Sequence, residues 1–188
     1  MKKLIAFFLS ASMLFTFASC TEKETDSKGN LTSVSEGQKN SGYTYKGDTF
    51  TISANSKWSH SEDDESSECT FKYKEKVNGK EIDTTVGVTV TDMPSDITFQ
   101  ELIDQTVASY TNSYEGCEVK TNEKTTLDGI DCYKLLVSVN ISDVSTYLLQ
   151  MIAEKENKIY IINATVPTEN YDSLIDDINE VIDSFKFG

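Results

Sequence analysis

A chain of 188 residues, 38 % hydrophobic and 10 % aromatic, is long enough for one well-filled core with short extensions and too short for two ordinary domains with tails. Its 17 basic groups, all of them lysine, face 31 acidic ones for a net charge of −14. That balance argues against a nucleic-acid partner, which needs a cationic stripe to release counterions, and without arginine no bidentate clamp on carboxylate or phosphate can be built. Cations, cationic surfaces and uncharged partners stay open. The simplest reading of the acidity is solubility through mutual repulsion.

Residues 1–19 read as an export leader. Lys2 and Lys3 follow Met1, and residues 4–17 form an apolar run broken only by Ser10, Ser12 and Thr16. This run is a signal-peptide core rather than a span, which needs roughly 20 apolar residues. Ala18 and Ser19 precede Cys20, and the chain turns polar at Thr21. Phe17-Ala18-Ser19-Cys20 resembles the lipobox of bacterial lipoproteins, although Phe17 stands where that family usually has leucine or a smaller aliphatic residue. The resemblance implies a diacylglyceryl group on the Cys20 thiol, cleavage before it, and anchorage to the lipid bilayer on the outer face of a bacterial membrane. The alternative is cleavage after Thr16-Phe17-Ala18 as an ordinary exported protein, with Cys20 an incidental thiol. Two acyl chains, at about 0.8 kcal/mol per buried methylene, hold a protein stably where one does not.

Residues 20–42 follow as the lipidated cysteine and a flexible polar tether. Leu31 and Val34 are its aliphatic residues, too little apolar surface to offset the entropy of ordering. At about 5–6 Å × √n, such a segment holds a domain a few nanometres from the bilayer.

Residues 43–188 make the folded domain. Residues 43–52 predict a hairpin about Lys46-Gly47-Asp48, with Phe50 and Ile52 on one face. Trp58 follows, and residues 60–67 have the composition of an acidic loop. Cys69, Phe71, Tyr73, Glu75 and Val77 alternate with polar neighbours up to Asn78-Gly79, a strong hairpin signal. Val86, Val88 and Val90 then mark a half-buried strand. After Pro94, Thr98 and Glu101 form a capping box for a first helix, whose apolar face includes Phe99, Leu102, Ile103, Val107 and Tyr110 and which ends near Gly116. Residues 119–127 and 130–141 are arms joined at Asp128-Gly129. Residues 146–155 and 159–166 pair around Glu156-Asn157-Lys158. Past Pro167, Thr168 can cap a second helix to about Ser184, with Tyr171, Leu174, Ile175, Ile178, Val181 and Ile182 on its buried stripe.

This order predicts an α+β domain: a twisted antiparallel sheet of about six or more strands covered by two main helices. Together with Phe50-x-Ile52 followed by Trp58, the helix after Pro94, the Leu127-Asp-Gly-Ile130 turn and the closing Ile182-Asp-Ser-Phe185-Lys-Phe187, it resembles the PsbP-like family. The resemblance implies an α-β-α sandwich. That family includes extrinsic subunits of photosystem II that help retain its inorganic ions, and exported bacterial lipoproteins. It transfers no site residues.

Candidate chemistry is sparse. Beyond Cys20 the chain holds Cys69, Cys117 and Cys132, and an odd exported set invites one bridge plus one free thiol. A turn at Asp128-Gly129 places Cys132 opposite Thr125 and Cys117 opposite Asn140, so those two do not face each other, whereas Cys69 could meet either across the sheet. Reduced thiols packing as small hydrophobes is the plainer reading. No C-x-x-C occurs, and His60 is the single histidine, which excludes two-histidine zinc motifs and leaves a Cys69–His60 nucleophile pair without a supporting motif. Glu62-Asp63-Asp64-Glu65 and the face holding Asp172, Asp176, Asp177, Glu180 and Asp183 are cation candidates; the loop lacks the spaced order of a calcium-binding hand, and both read first as solvated surface. Trp58, Tyr43 and Tyr45 are packing aromatics by default and a sugar- or peptide-lining trio otherwise.

The chain therefore reads as an anchored, non-catalytic binding or accessory module of the bacterial surface, with no cofactor, metal site or nucleic acid, and with another envelope protein as a possible partner. The alternatives are a small exported hydrolase or thiol enzyme whose site assembles only on folding, and a weak divalent-cation binder.

Overall fold

The computed structural model describes residues 30–33, 42–61, 67–77 and 79–188. The leader, Cys20, most of the stretch read as a tether, the Glu62-Asp63-Asp64-Glu65 loop and Asn78 lie outside the described residues. Strands β1 (Asn30–Ser33), β2 (Tyr43–Lys46), β3 (Phe50–Ala54), β4 (Ser59–Ser61), β5 (Cys69–Val77) and β6 (Lys80–Asp92) precede helix α1 (Phe99–Ser113). Strands β7 (Glu118–Leu127), β8 (Ile130–Ile141), β9 (Val144–Lys155) and β10 (Lys158–Pro167), helix α2 (Tyr171–Asp183) and a short β11 (Lys186–Phe187) complete the chain.

Tight turns set the register. Asp128 and Gly129 take φ of 46° and 79°, Ser142 and Asp143 take 49° and 67°, and Glu156 and Asn157 take 54° and 61°. Left-handed conformation at both central residues matches the twist of the flanking strands, so Leu127 pairs with Ile130, Ile141 with Val144 and Lys155 with Lys158. The resulting seven-stranded antiparallel sheet has the order β4-β5-β6-β10-β9-β8-β7, and a smaller sheet has the order β1-β2-β3-β11. β1 lies inside the stretch read as a tether and pairs with β2. Main-chain pairing to an open strand edge needs no apolar side chain, which is why composition does not reveal it.

The large sheet is apolar on both faces at its centre. Against one face, Val86, Val88, Ile162, Ala164, Leu149 and Met151 pack with Phe50 and Ile52 of the small sheet and Leu174, Ile178 and Val181 of α2. Against the other, Tyr133, Leu135, Ile152 and Ile159 pack with Leu102 and Ile103 of α1. The outcome is the expected α+β sandwich. The aromatic cluster of Phe50, Phe185, Tyr160 and Phe187 closes its C-terminal corner, and Asp128 fastens β11 there, accepting from Lys186 Nζ at 2.9 Å and from the Phe187 N–H at 3.0 Å.

Helix ends follow side-chain chemistry. The Thr98 hydroxyl accepts from the Glu101 N–H at 3.2 Å, and the Glu101 carboxylate accepts from the Thr98 N–H at 2.8 Å, the expected capping box. That carboxylate also accepts from the Thr98 hydroxyl at 2.8 Å, and the bonds it takes from the Thr98 N–H and hydroxyl hold the Glu101 carboxyl below the usual range. Thr98→Ala should cost about 1 kcal/mol, read as a fall in thermal midpoint; Thr98→Ser, which keeps the hydroxyl, should restore most of it. At α2 the expected cap moves: Asn170, not Thr168, occupies the N-cap position. The Thr168 N–H is held by the Ser145 carbonyl at 2.9 Å, and the Asn170 N–H closes a turn on the Pro167 carbonyl at 3.0 Å. That turn delays the helix by two residues. Asn170 spends its side-chain amide on Glu75.

Candidate functional site

The three described thiols are free and far apart in the fold. Cys69 stands on β5 opposite Val88, and Cys132 on β8 opposite Thr125 and Ala153. Strands β6, β10 and β9 lie between them, so four spacings of about 4.8 Å separate the residues laterally, against about 6 Å between Cα atoms in a disulfide. Cys69 therefore does not meet Cys132 across the sheet. The Cys132–Thr125 register is as expected, but a bulge between Val119 and Thr121 shifts the far end, where Glu118 faces Ser138. Cys117 consequently falls before the strand, off the expected Asn140 position, and packs half-buried against Val137, Val139 and Leu148. Burial pushes the Cys69 thiol up to about 12 and the Cys132 thiol up to about 11. Thiols so protonated are poor nucleophiles and poor metal ligands.

His60 and Tyr43 meet, while Trp58 packs against Tyr73 in the main core. His60 on β4 faces Phe71, and its ring meets Tyr43 edge-on at 5.0 Å. Trp58 is 2 % exposed and lies 5.9 Å from Tyr73; Tyr45, equally buried, stacks on Phe50 at 5.1 Å. Packing is thus the main work of Trp58 and Tyr45. The indole Nε1, the imidazole Nδ1 and the hydroxyl of Thr84, which stands opposite Tyr73, lack hydrogen-bond partners among the described residues. The α2 acidic face is partly spent: Asp177 takes Lys57 Nζ at 2.7 Å and Glu180 takes Asn55 Nδ2 at 2.9 Å, pinning the β3–β4 turn to the helix. Among the described residues no group of three or more His, Cys, Asp or Glu is placed to hold a metal ion, and no helix there is long and apolar enough to cross a membrane.

A different set of polar residues shares the α1 side of the sheet. One row across the strands runs Leu135, Gln150, Asn163, Gly87, Thr70. Gln150 is 6 % exposed, its amide nitrogen donates to Asn163 Oδ1, and its Oε1 has no hydrogen-bond partner among the described residues. Asn163 is half-buried. Gly87 beside it stands in close contact with its surroundings: a Cβ there would lie 3.1 Å from Thr70 Oγ1 and 3.3 Å from both the Cys69 carbonyl oxygen and Ser67 Oγ, so the row has no room for a side chain at this position. Thr85 and Thr89 flank Gly87 on β6 and Thr165 follows on β10, so the patch is rich in neutral hydrogen-bonding groups. Motif and periodicity rules single out neither Gln150 nor Asn163. Their signal was an amide interrupting each of two otherwise apolar runs, Leu148-Leu149-Gln150-Met151-Ile152 and Ile161-Ile162-Asn163-Ala164.

Solved structures share this fold at low identity. The solution structure of cyanobacterial PsbP (CyanoP) from Synechocystis sp. PCC 6803 matches at 16 % identity and TM-score 0.54, over 91 % of this chain and 98 % of that one. LpqN, involved in cell envelope biogenesis of Mycobacterium tuberculosis, matches at 13 % identity and TM-score 0.59, over 84 % and 90 %. The Saccharomyces cerevisiae Ran-binding protein Mog1p matches at 12 % and 0.53, over 80 % and 96 %. These likenesses establish the PsbP-like fold and nothing of function. A search of curated proteins finds no match. The DcrB family model matches residues 76–184, from the end of β5 through α2 and more than half of the chain, and on that match this chain belongs to the DcrB family.

Proposed function

We propose that the chain is a bacterial surface lipoprotein, anchored through a diacylglyceryl group on Cys20, whose PsbP-like domain serves as a non-catalytic binding or accessory module. The observation that carries the reading is the leader: a basic start, a short apolar run and two small residues ending at Cys20, followed at once by polar chain. The shared fold with an envelope-biogenesis protein supports it. The burial of Cys69 and Cys132, with their thiols held protonated, weighs against a thiol enzyme.

Metabolic labelling of the bacterial host with a clickable fatty acid tests the anchor. Wild-type protein should carry the label and sediment with membranes. Cys20→Ala should lose the label entirely and appear in the soluble or medium fraction, because a chain with net charge −14 has no affinity for a bilayer comparable to two buried acyl chains. An unlabelled native protein beginning at Ser19, of unmodified mass, overturns the reading.

A further inference from the structure

We infer that β1 is a releasable strap that sets how far the folded domain stands from the membrane: paired with β2 it holds the domain near the anchor, and unpaired it lets the domain reach out. The inference deepens the anchored-module reading above and rests on it. β1 is the outermost strand of the small sheet, bonded to β2 alone. The β2–β3 hairpin fixes which groups that bonding uses. The Gly47 N–H donates to the Phe50 carbonyl at 3.0 Å, and bonded pairs alternate along an antiparallel ladder. Tyr45 and Tyr43, opposite Ile52 and Ala54, therefore turn their main-chain groups toward β3. Thr44 falls in a non-bonded pair with Ser53, where side chains come closest, and its Oγ1 lies 3.0 Å from Ser53 Oγ. The N–H and C=O groups that β2 turns outward are those of Thr44 and Lys46, and they face Thr32 and Asn30 of β1.

Two bonded pairs make a weak hold. Each ladder bond contributes little net stability, and ordering the four residues of β1 costs chain entropy of similar total size. β11, on the opposite edge of the same sheet, is shorter but better fastened: Lys186 and the Phe187 N–H bond to Asp128, and the Gly188 N–H bonds to the Thr49 carbonyl at 2.8 Å. β2 does not need β1 to stay in place, because Tyr45 is 2 % exposed, stacks on Phe50 and pairs with Ile52 of β3. Release of β1 thus leaves the domain folded and changes only its attachment. Asn30 is ten residues beyond Cys20 and Tyr43 is twenty-three beyond it. At 3.6 Å or less per residue the span from the lipidated cysteine is at most about 36 Å with β1 paired and about 80 Å with β1 free. The point of attachment moves as well, from beside Lys46 at the turn end of β2 to Tyr43 at its other end.

Amide exchange, read residue by residue by NMR on the purified chain, tests the pairing. The Thr44 and Lys46 amides should exchange at least about tenfold faster than that of Tyr45, yet slower than in an unfolded peptide. Thr32→Pro removes an N–H aimed at β2 and should bring both amides to the unfolded rate, with Tyr45 and the thermal midpoint unchanged. Ser33→Pro, whose N–H faces the open edge where proline is tolerated, should change neither. The reach is read on the lipidated chain in vesicles of phosphatidylcholine and dansyl-labelled phosphatidylethanolamine, with Trp58, the single tryptophan, as energy donor. Thr32→Pro should lower transfer at least about twofold, and a bridge made by Thr32→Cys with Thr44→Cys, placed directly opposite each other, should raise it above wild type. Wild-type Thr44 and Lys46 amides that exchange as slowly as Tyr45, or at the unfolded rate, overturn the inference, as does equal transfer in the bridged and proline variants. A fatty-acid-labelled protein with equal transfer fails the strap alone; an unlabelled one fails the anchor and the strap's purpose with it, whatever its exchange rates.

Discussion

Replacing Phe185 by alanine is expected to remove about 3–5 kcal/mol of folding stability, a large share of the roughly 5–15 kcal/mol that holds a domain of this size. Phe185 is 1 % exposed and sits where three parts of the fold meet. Its ring stacks on Phe50 of β3 at 5.4 Å, approaches Tyr160 of β10 at 6.2 Å, and meets Phe187 of β11 edge-on at 4.9 Å. The residue before it locks the same junction through the backbone: Ser184 Oγ accepts from the Ser53 N–H at 2.8 Å. Truncation therefore leaves a cavity lined by side chains held on separate strands, which cannot all move inward together. Phe187, half-buried on the two-residue β11, is held by Asp128 and by the Gly188 N–H bond to the Thr49 carbonyl, so it leans into the cavity only in part and the cost stays within that range. Urea denaturation of the full chain should show a lowered midpoint with an unchanged slope. Val119→Ala, at a side chain 37 % exposed on β7, should change stability by less than about 0.5 kcal/mol. A Phe185→Ala loss no larger than that control would mean that the corner is not part of the cooperative core.

Much of this architecture is legible in the chain because each element obeys one local rule. Val86, Val88 and Val90 alternate with threonine and glycine because one face of β6 enters the main core, and the 3.6-residue recurrence of Leu174, Ile178 and Val181 answers the curved apolar face that α2 covers. Asp128-Gly129 sets the expected pairing of Cys132 with Thr125. What escapes local rules is what tertiary contacts decide. The bulge at Val119 and Thr121 spoils a register counted outward from the turn. The Ser142-Asp143 turn, two non-glycine residues at positive φ, carries no glycine to announce it. The start of α2 moves because Thr168 bonds to Ser145 on β9, a partner remote in sequence.

The candidate site was less legible than the fold, for a related reason. Aromatics and the lone histidine draw attention in a sequence, yet Trp58 and Tyr45 are 2 % exposed and spent on packing. Gln150 and Asn163 look unremarkable one at a time. Only the pairing Gln150↔Asn163↔Gly87↔Thr70 puts an amide pair next to a position without a side chain, and this juxtaposition depends on the order β9-β10-β6-β5, in which β6 and β10 are joined across a helix and three strands of intervening chain. Central strands buried on both faces read as continuous apolar runs, so a single amide within each is the sequence feature that answers to the Gln150–Asn163 bond between β9 and β10.

The second large effect is a loss of stability at alkaline pH that belongs to Cys69. Its side chain is 5 % exposed, opposite Val88 in the main core. Desolvation raises its thiol from 9.0 to about 12, opposed in part by a backbone hydrogen bond from Val88 and assisted by Glu68. The folded chain thus holds the proton to higher pH than the unfolded chain does. The stabilisation tied to the neutral thiol is fully present below about pH 9, and it is lost as pH rises toward 12, because across that window the unfolded state binds fewer protons and stability falls with pH. At pH 10.5 the loss should reach about 2 kcal/mol, taking 1.36 kcal/mol per pKa unit. Urea unfolding at pH 7.5 and 10.5 on wild type and Cys69→Ala isolates it from tyrosine and lysine titration, which both proteins share: wild type should lose about 2 kcal/mol more than the variant over that interval. Equal losses would show that the thiol is solvated in the native state. The same burial orders reactivity, since alkylation proceeds through the thiolate: in native protein at pH 8 a maleimide or aromatic disulfide should reach the half-buried Cys117 well before the buried Cys69 and Cys132. In a chain that positions its thiols by packing rather than by chemistry, that order should disappear when urea unfolds it.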